Sequence, residues 1–281
     1  MLSRKLSMFL LILLAGLMIV VYFMTPRIPQ PISYHQFADK RSFLGIPNFG
    51  DVMSNLPFAV VGICGLVFLL MTRFRKIAPN FLDKRERWPY LFVFAGLLLT
   101  AFGSSYYHLA PDNARLLWDR LPMTVTFMAM VSAIIAERIS VRLGLWLLPI
   151  LLSVGLVSVL QWEWSEMRGS GDLRYYASVQ AYSALVILLS FFFPRRYTRT
   201  ADLALVIGFY ALAKALELCD KPIFAALHIV SGHTLKHLAA AAAGYCILRM
   251  LQKRQPITTL LSVSQTEKRH RHSNKGASII S

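Results

Sequence analysis

Long, unbroken apolar runs alternate along this chain with short polar or basic breaks. A bilayer core about 30 Å thick needs roughly 20 apolar helical residues to cross it. Eight stretches meet that need: 8–24, 55–72, 89–108, 121–136, 143–162, 175–193, 201–219 and 232–251. The runs are continuous rather than alternating, which excludes a β-barrel, and a helix satisfies its own backbone hydrogen bonds in lipid. The pattern therefore predicts an all-α integral membrane protein, a seven-transmembrane-helix bundle plus one extra N-terminal anchor helix. It divides the chain into an anchor at 1–25, an outer segment at 26–50, a seven-helix domain at 51–252 and a basic tail at 253–281. The tail has no apolar periodicity and is expected to be disordered. No internal repeat is visible.

Composition supports the same class. At 281 residues, 56% hydrophobic and 16% charged, the chain is more apolar than a soluble core of this size can bury. Cys64, Cys219 and Cys246 each sit in an apolar run and form no pairable framework, so buried thiols are expected. The net charge of +16 does not indicate nucleic acid, because the basic residues fall in clusters between spans instead of along one soluble face. With a cytoplasmic amino terminus, 20 of the 30 Lys and Arg lie on the cytoplasmic side and eight on the other, with Lys214 and Lys236 within spans. Both ends then face the cytoplasm. The first run follows Arg4 and Lys5 but ends in Val-Val-Tyr-Phe-Met-Thr-Pro, without a small-x-small cleavage site, so it reads as an uncleaved anchor.

Polar groups inside spans are costly and mark function. Ser104 and His108 stand four apart near the outer end of the second core helix, Asp119 stands at the start of the third, and His233 and His237 stand four apart at the start of the seventh. The topology brings all five to one membrane depth. Three neutral imidazoles plus water are the ligand set of a catalytic zinc site. A single His pair is weak evidence, since an intramembrane His more often bonds a neighbouring helix. The three histidines together, with a carboxylate and a hydroxyl beside them, favour a metal.

The order Ser104-Ser-Tyr-Tyr-His108, Trp118-Asp119 and His233-Thr-Leu-Lys-His237, across roughly 47–251, resembles the alkaline ceramidase family within the CREST superfamily of seven-helix membrane proteins. Ser54-Asn55-Leu56-Pro57 resembles the ceramidase branch in particular. The resemblance implies that His108, His233 and His237 hold zinc, that Asp119 moves the proton of a metal-activated water, and that Ser104 positions the water or the oxyanion. It implies hydrolysis of a ceramide-like lipid to a fatty acid and a sphingoid base. The eukaryotic members also carry calcium on an acidic, Trp-containing amino-terminal segment and a Glu before the first core helix. That segment is missing here, and Asn48 stands where the Glu is expected. Asp39, Asn48 and Asp51 can still offer oxygen ligands to calcium, and a polar helix cap accounts for Asn48 and Asp51 equally well.

The remaining polar groups have plainer readings. Lys214, Glu217 and Asp220 line one helix face, with Lys214 and Glu217 expected to pair and Lys236 to snorkel or to meet Glu217. Gln161, Trp162, Glu163 and Trp164 read as an interfacial belt, His228 as a solvated or capping residue, and Met123, Met128 and Met130 as packing. His270 and His272 read as part of a basic tail near anionic lipid. The expected partners are the bilayer and a membrane lipid substrate, with no nucleic acid, and the expected location is a bacterial inner membrane with the site towards the periplasm. Two other classes fit the same residues: a seven-helix lipid or hormone receptor with structural zinc, and a lipid esterase. A transporter does not, for want of an inverted repeat. Because the ligands must be neutral, activity is expected to rise with pH into the neutral or alkaline range.

Overall fold

The structure, a computed structural model, describes residues 1–74 and 80–257. His270 and His272, and the tail read as disordered, lie outside the described residues. All regular structure among the described residues is helical, apart from two isolated β-bridges. The helices are α1 (Arg4–Met24), α2 (Phe49–Met53), α3 (Leu56–Phe74), α4 (Arg87–Leu109), α5 (Asn113–Arg138), α6 (Val141–Met167), α7 (Arg174–Leu189), α8 (Asp202–Leu218), α9 (Asp220–Leu227) and α10 (Gly232–Lys253). Six stretches are long and apolar enough to cross a membrane: α1, Phe49–Thr72, Lys84–Leu109, α5, α6 and Arg174–Phe192. The last two expected spans differ for local reasons. α8 is 17 residues long, and α10 carries His233, Lys236 and His237 in its first two turns.

Successive helices α3, α4, α5 and α6 pack side by side, α10 lies along α8 and returns to α3, and α7 closes on α5. α5 sits at the centre: 72% of its apolar window is buried, against 11% for α1, which leans on α7 and leaves Phe9, Ile12 and Leu17 bare. An apolar side chain facing outward costs nothing in lipid, so α1 has the surface of an anchor. It is clipped at both ends, by the Leu2 amide on the Phe192 carbonyl at 2.9 Å and by Arg174 Nη1 on the carbonyls of Tyr22 and Thr25 at 3.0 and 2.6 Å.

Short polar residues set where helices begin. The Asp112 carboxylate caps α5 through the Arg115 amide at 2.7 Å, and Ser140 caps α6 through Leu143. α5 thus starts eight residues before its apolar run, which places Asp119 in its second turn rather than at its tip. Cys246 is buried as expected, whereas Cys64 is exposed on the surface of α3 and Cys219 is exposed in the turn between α8 and α9.

At the end of the bundle where α10 finishes, charges meet in pairs. Arg254 is buried, bonds Glu137, donates from Nε to the Asn80 carbonyl at 2.9 Å and stacks on Tyr197 at 4.1 Å. Glu86 receives Arg196 at 2.9 Å and the Tyr197 hydroxyl. This ties the end of α10 to the α3–α4 and α7–α8 connections.

Candidate metal centre

The other end of the bundle gathers the end of α4 and the start of α10. His108 lies in the last turn of α4, and its carbonyl, which has no helical partner there, accepts the Asn48 amide at 2.8 Å. α10 starts on Ser231, whose hydroxyl accepts the Thr234 amide at 3.0 Å, while Asp220 accepts the His233 amide at 2.9 Å. A Cβ on Gly232 would come within 2.4 Å of the Leu216 carbonyl oxygen, so only glycine lets α10 begin this close to α8. With the first turn pinned, His233 and His237 emerge one above the other, facing His108.

The three rings form a near-equilateral cluster, with centroids 4.8 to 4.9 Å apart, and all are buried. One nitrogen from each lies within 4.8 Å of the others, and Nε2 of His108 and of His233 are 3.3 Å apart. With Zn–N bonds of about 2.0–2.1 Å, a tetrahedral site has N···N edges of about 3.3 Å. Ser54 fixes the third ring. Its Oγ lies 2.9 Å from the Asp51 carbonyl and 2.8 Å from His237 Nδ1. A carbonyl only accepts, so the single hydroxyl proton goes to Asp51, and Ser54 accepts from Nδ1–H of His237. That leaves His237 Nε2 bare and basic towards the cluster. Phe37 lies across the outside of the site, 4.6 Å from the His108 ring and 4.3 Å from the His233 ring. Three converging neutral imidazoles with an excluded-water face fit a metal ion, and this is the triple that the sequence singled out.

Ser104 on α4 and Asp119 on α5 come together beside the cluster, both lining the same cavity as His237. Two residues allow this approach. Pro122 lacks the amide that would bond the Trp118 carbonyl. Gly103 packs directly on that carbonyl, where a Cβ would come within 2.0 Å of the oxygen.

Ser104, Asp119 and His237 line the head of an apolar cavity of about 340 Å³, which runs between α5, α7, α8 and α10 to Ile187, Val206 and Ile247. From His237 to Ile247 is ten residues of helix, about 15 Å. Lys236, beside the histidines on α10, donates to Glu217 at 2.7 Å, and Lys214 shares that carboxylate at 2.9 Å, so the expected pairings are both present.

Of the residues considered for calcium, Asp39 and one oxygen of Asp51 are engaged within the protein, while Asp51 Oδ2 is buried without a partner. Asp39 is held by Arg41 at 2.7 Å, which keeps its carboxyl below the usual carboxylate range. Asn48 serves the His108 carbonyl, and Asp51 Oδ1 accepts the Thr234 hydroxyl at 2.7 Å. Asp220 supports His233 through the backbone, and His228 caps α9 in the left-handed region at φ 58°. Met128 and Met130 pack in the core, and Met123 lines the cavity with Met130.

Trp162 departs from the belt reading. It is fully buried with its ring 4.1 Å from the guanidinium of Arg120. Sequence reasoning also passed over Phe37 and the role of Ser54. Phe37 carries no signal, whereas a serine and an asparagine opening an apolar run were a usable one.

Searched against protein-family models and against curated proteins, the chain matches none.

Proposed function

We propose that this protein is an integral-membrane, zinc-dependent amide hydrolase of the alkaline ceramidase type, acting on long-chain acyl amides of the ceramide class. The observation that carries the reading is the His108, His233 and His237 cluster at the head of an apolar cavity shared with Asp119 and Ser104. On this reading α8 and α10 also cross the membrane, so that α3 to α8 with α10 make the seven-helix core, α1 is the anchor, and the site faces away from the cytoplasm.

Three neutral imidazoles suit zinc better than a hard cation. A bound zinc supplies Lewis acidity and lowers the pKa of a coordinated water towards 7. The chain's own residues do the rest. The cavity takes the acyl chain and leaves the amide carbonyl at its polar head. Asp119 accepts the proton of the attacking water and returns it to the leaving nitrogen. Ser104 orients that carboxylate and offers a donor to the developing oxyanion. Phe37 and the buried rings keep bulk water out, which strengthens each of these interactions. An ester at the same position would meet the same groups, and product analysis separates the two bonds.

The test is metal content and fatty-acid release for detergent-purified wild type and His233→Ala, with a fluorescent short-chain ceramide. The expected result is about one zinc per chain, lost in the variant together with a fall in turnover of about a thousandfold or more. Zinc without turnover of any amide or ester would move the reading to a receptor. A folded wild type without zinc would end it.

A further inference from the structure

Charge is unevenly matched around the cavity. Its polar head carries Asp119 and Glu217 against Arg120, Lys214 and Lys236. Glu217 takes both lysines. Arg120 is left over. Its side chain is 4% exposed, its Nη2 donates to the Gln30 side-chain oxygen at 2.6 Å, and its Nη1 is buried with no hydrogen-bond partner. No carboxylate stands within ion-pair distance of it among the described residues.

An arginine cannot shed its proton, so this is a permanent charge in a low-dielectric site. The rings of Trp162, Tyr176 and Tyr34 lie 4.1, 4.8 and 5.6 Å from its guanidinium carbon. Such faces attract a cation and hold the planar fork in one orientation. They supply no acceptor for Nη1. A fork held rigid with one arm unmet, on the wall of a cavity that ends at a reacting centre, is built to receive an oxyanion.

We propose that Arg120 receives an anionic group of the lipid that enters this cavity, so that acyl amides whose amine portion bears a carboxylate or a phosphate are preferred over neutral ones. Arg120 directly follows Asp119 on α5, and both line the cavity. An anion on Arg120 therefore lies beside the amide and not at the far end of the acyl channel. That the bond is an amide rests on the preceding reading, whereas the anion site stands on the charge and geometry of Arg120 alone.

The experiment compares two amides with the same chain, anionic N-dodecanoylglycine and neutral N-dodecanoylethanolamine. The full-length protein in nonionic detergent is used as wild type, Arg120→Gln and Arg120→Lys. Binding is followed by tryptophan fluorescence, cleavage by release of dodecanoate, and the integrity of each variant by its metal content. The wild type is expected to prefer the glycine amide by about tenfold or more, in binding and in kcat/KM. Arg120→Gln should remove most of that preference, and Arg120→Lys should keep part of it.

A purely structural Arg120 would weaken both amides alike and leave their ratio in place, which overturns the proposal. So does a wild type indifferent to charge. If neither amide is cleaved but charge-selective binding persists and depends on Arg120, the anion site holds and the amidase reading fails. If both are cleaved equally, the amidase reading holds and the anion site fails.

Discussion

The two ends of the helix bundle handle buried polarity in opposite ways. At the end where α10 finishes, each of two buried carboxylates has a cation against it, Glu137 with Arg254 and Glu86 with Arg196, and Tyr90 and Tyr197 donate to the same carboxylates, so that the charges are paired although Arg254 Nη2 itself has no hydrogen-bond partner. At the end where α10 begins, three uncharged imidazoles converge with no carboxylate among them, Asp51 Oδ2 and Arg120 Nη1 are buried without partners, and a cavity opens beside them. Paired buried charges hold helices in register, and losing one partner is costly. Incompletely met polar groups next to a cavity are what a binding site looks like before its ligand arrives. One helix, α10, carries both kinds of end, so the holding end also sets the height at which His233 and His237 face His108.

The comparison breaks most visibly at Glu137. Glu137→Gln leaves Arg254 charged and unpaired in the interior, and should destabilise the fold by about 3–5 kcal/mol. Thermal unfolding in detergent would show this, with the metal content of the surviving folded protein intact. The double variant Glu137→Leu with Arg254→Met should recover most of the loss. If Glu137→Gln were as stable as wild type, the account of this end as a fastening would be wrong.

At the binding end the matching change is Ser54→Ala. It frees the His237 ring to turn and removes the acceptor that keeps Nε2 bare. Metal affinity should fall about 10–100-fold, measured by competition with a chelator, while the unfolding midpoint of the metal-free protein moves little. Equal metal affinity in both proteins would mean that packing alone orients His237.

The smallest effect belongs to Asp172, which joins neither network. Arg174 beside it holds its carboxyl below the usual carboxylate range, and the same arginine clips the end of α1. A carboxyl lowered in the folded state stabilises fully above its unfolded pKa of about 3.9, and that contribution disappears as pH falls through the lowered value. Asp172→Asn should therefore cost a few degrees of melting midpoint at neutral pH, and the difference from wild type should close as the solution is made more acid. A difference constant from pH 7 to pH 3 would show that the charge has no part in it.

Much of this protein was legible along the chain because lipid imposes a one-dimensional rule. Each helix that crosses must be apolar for its length, so α1 and α3 to α7 announce themselves, and each polar intruder among them stands out. His108, Asp119 and the pair His233 and His237 were found in that way, since spacing and topology alone placed them at one end. α8 and α10 stand out less, because α8 is only 17 residues long and α10 carries His233, Lys236 and His237 in its first two turns. What the chain could not reveal is which groups meet across it. Ser54 on His237, Phe37 over two imidazoles, Gly103 against the Trp118 carbonyl and Arg120 among Trp162, Tyr176 and Tyr34 join residues from 15 to 196 positions apart. Burial is a local demand that each residue type states for itself. Partnership, which sets three buried histidines around one point and leaves a buried arginine with one nitrogen unmet, exists only once the helices have packed.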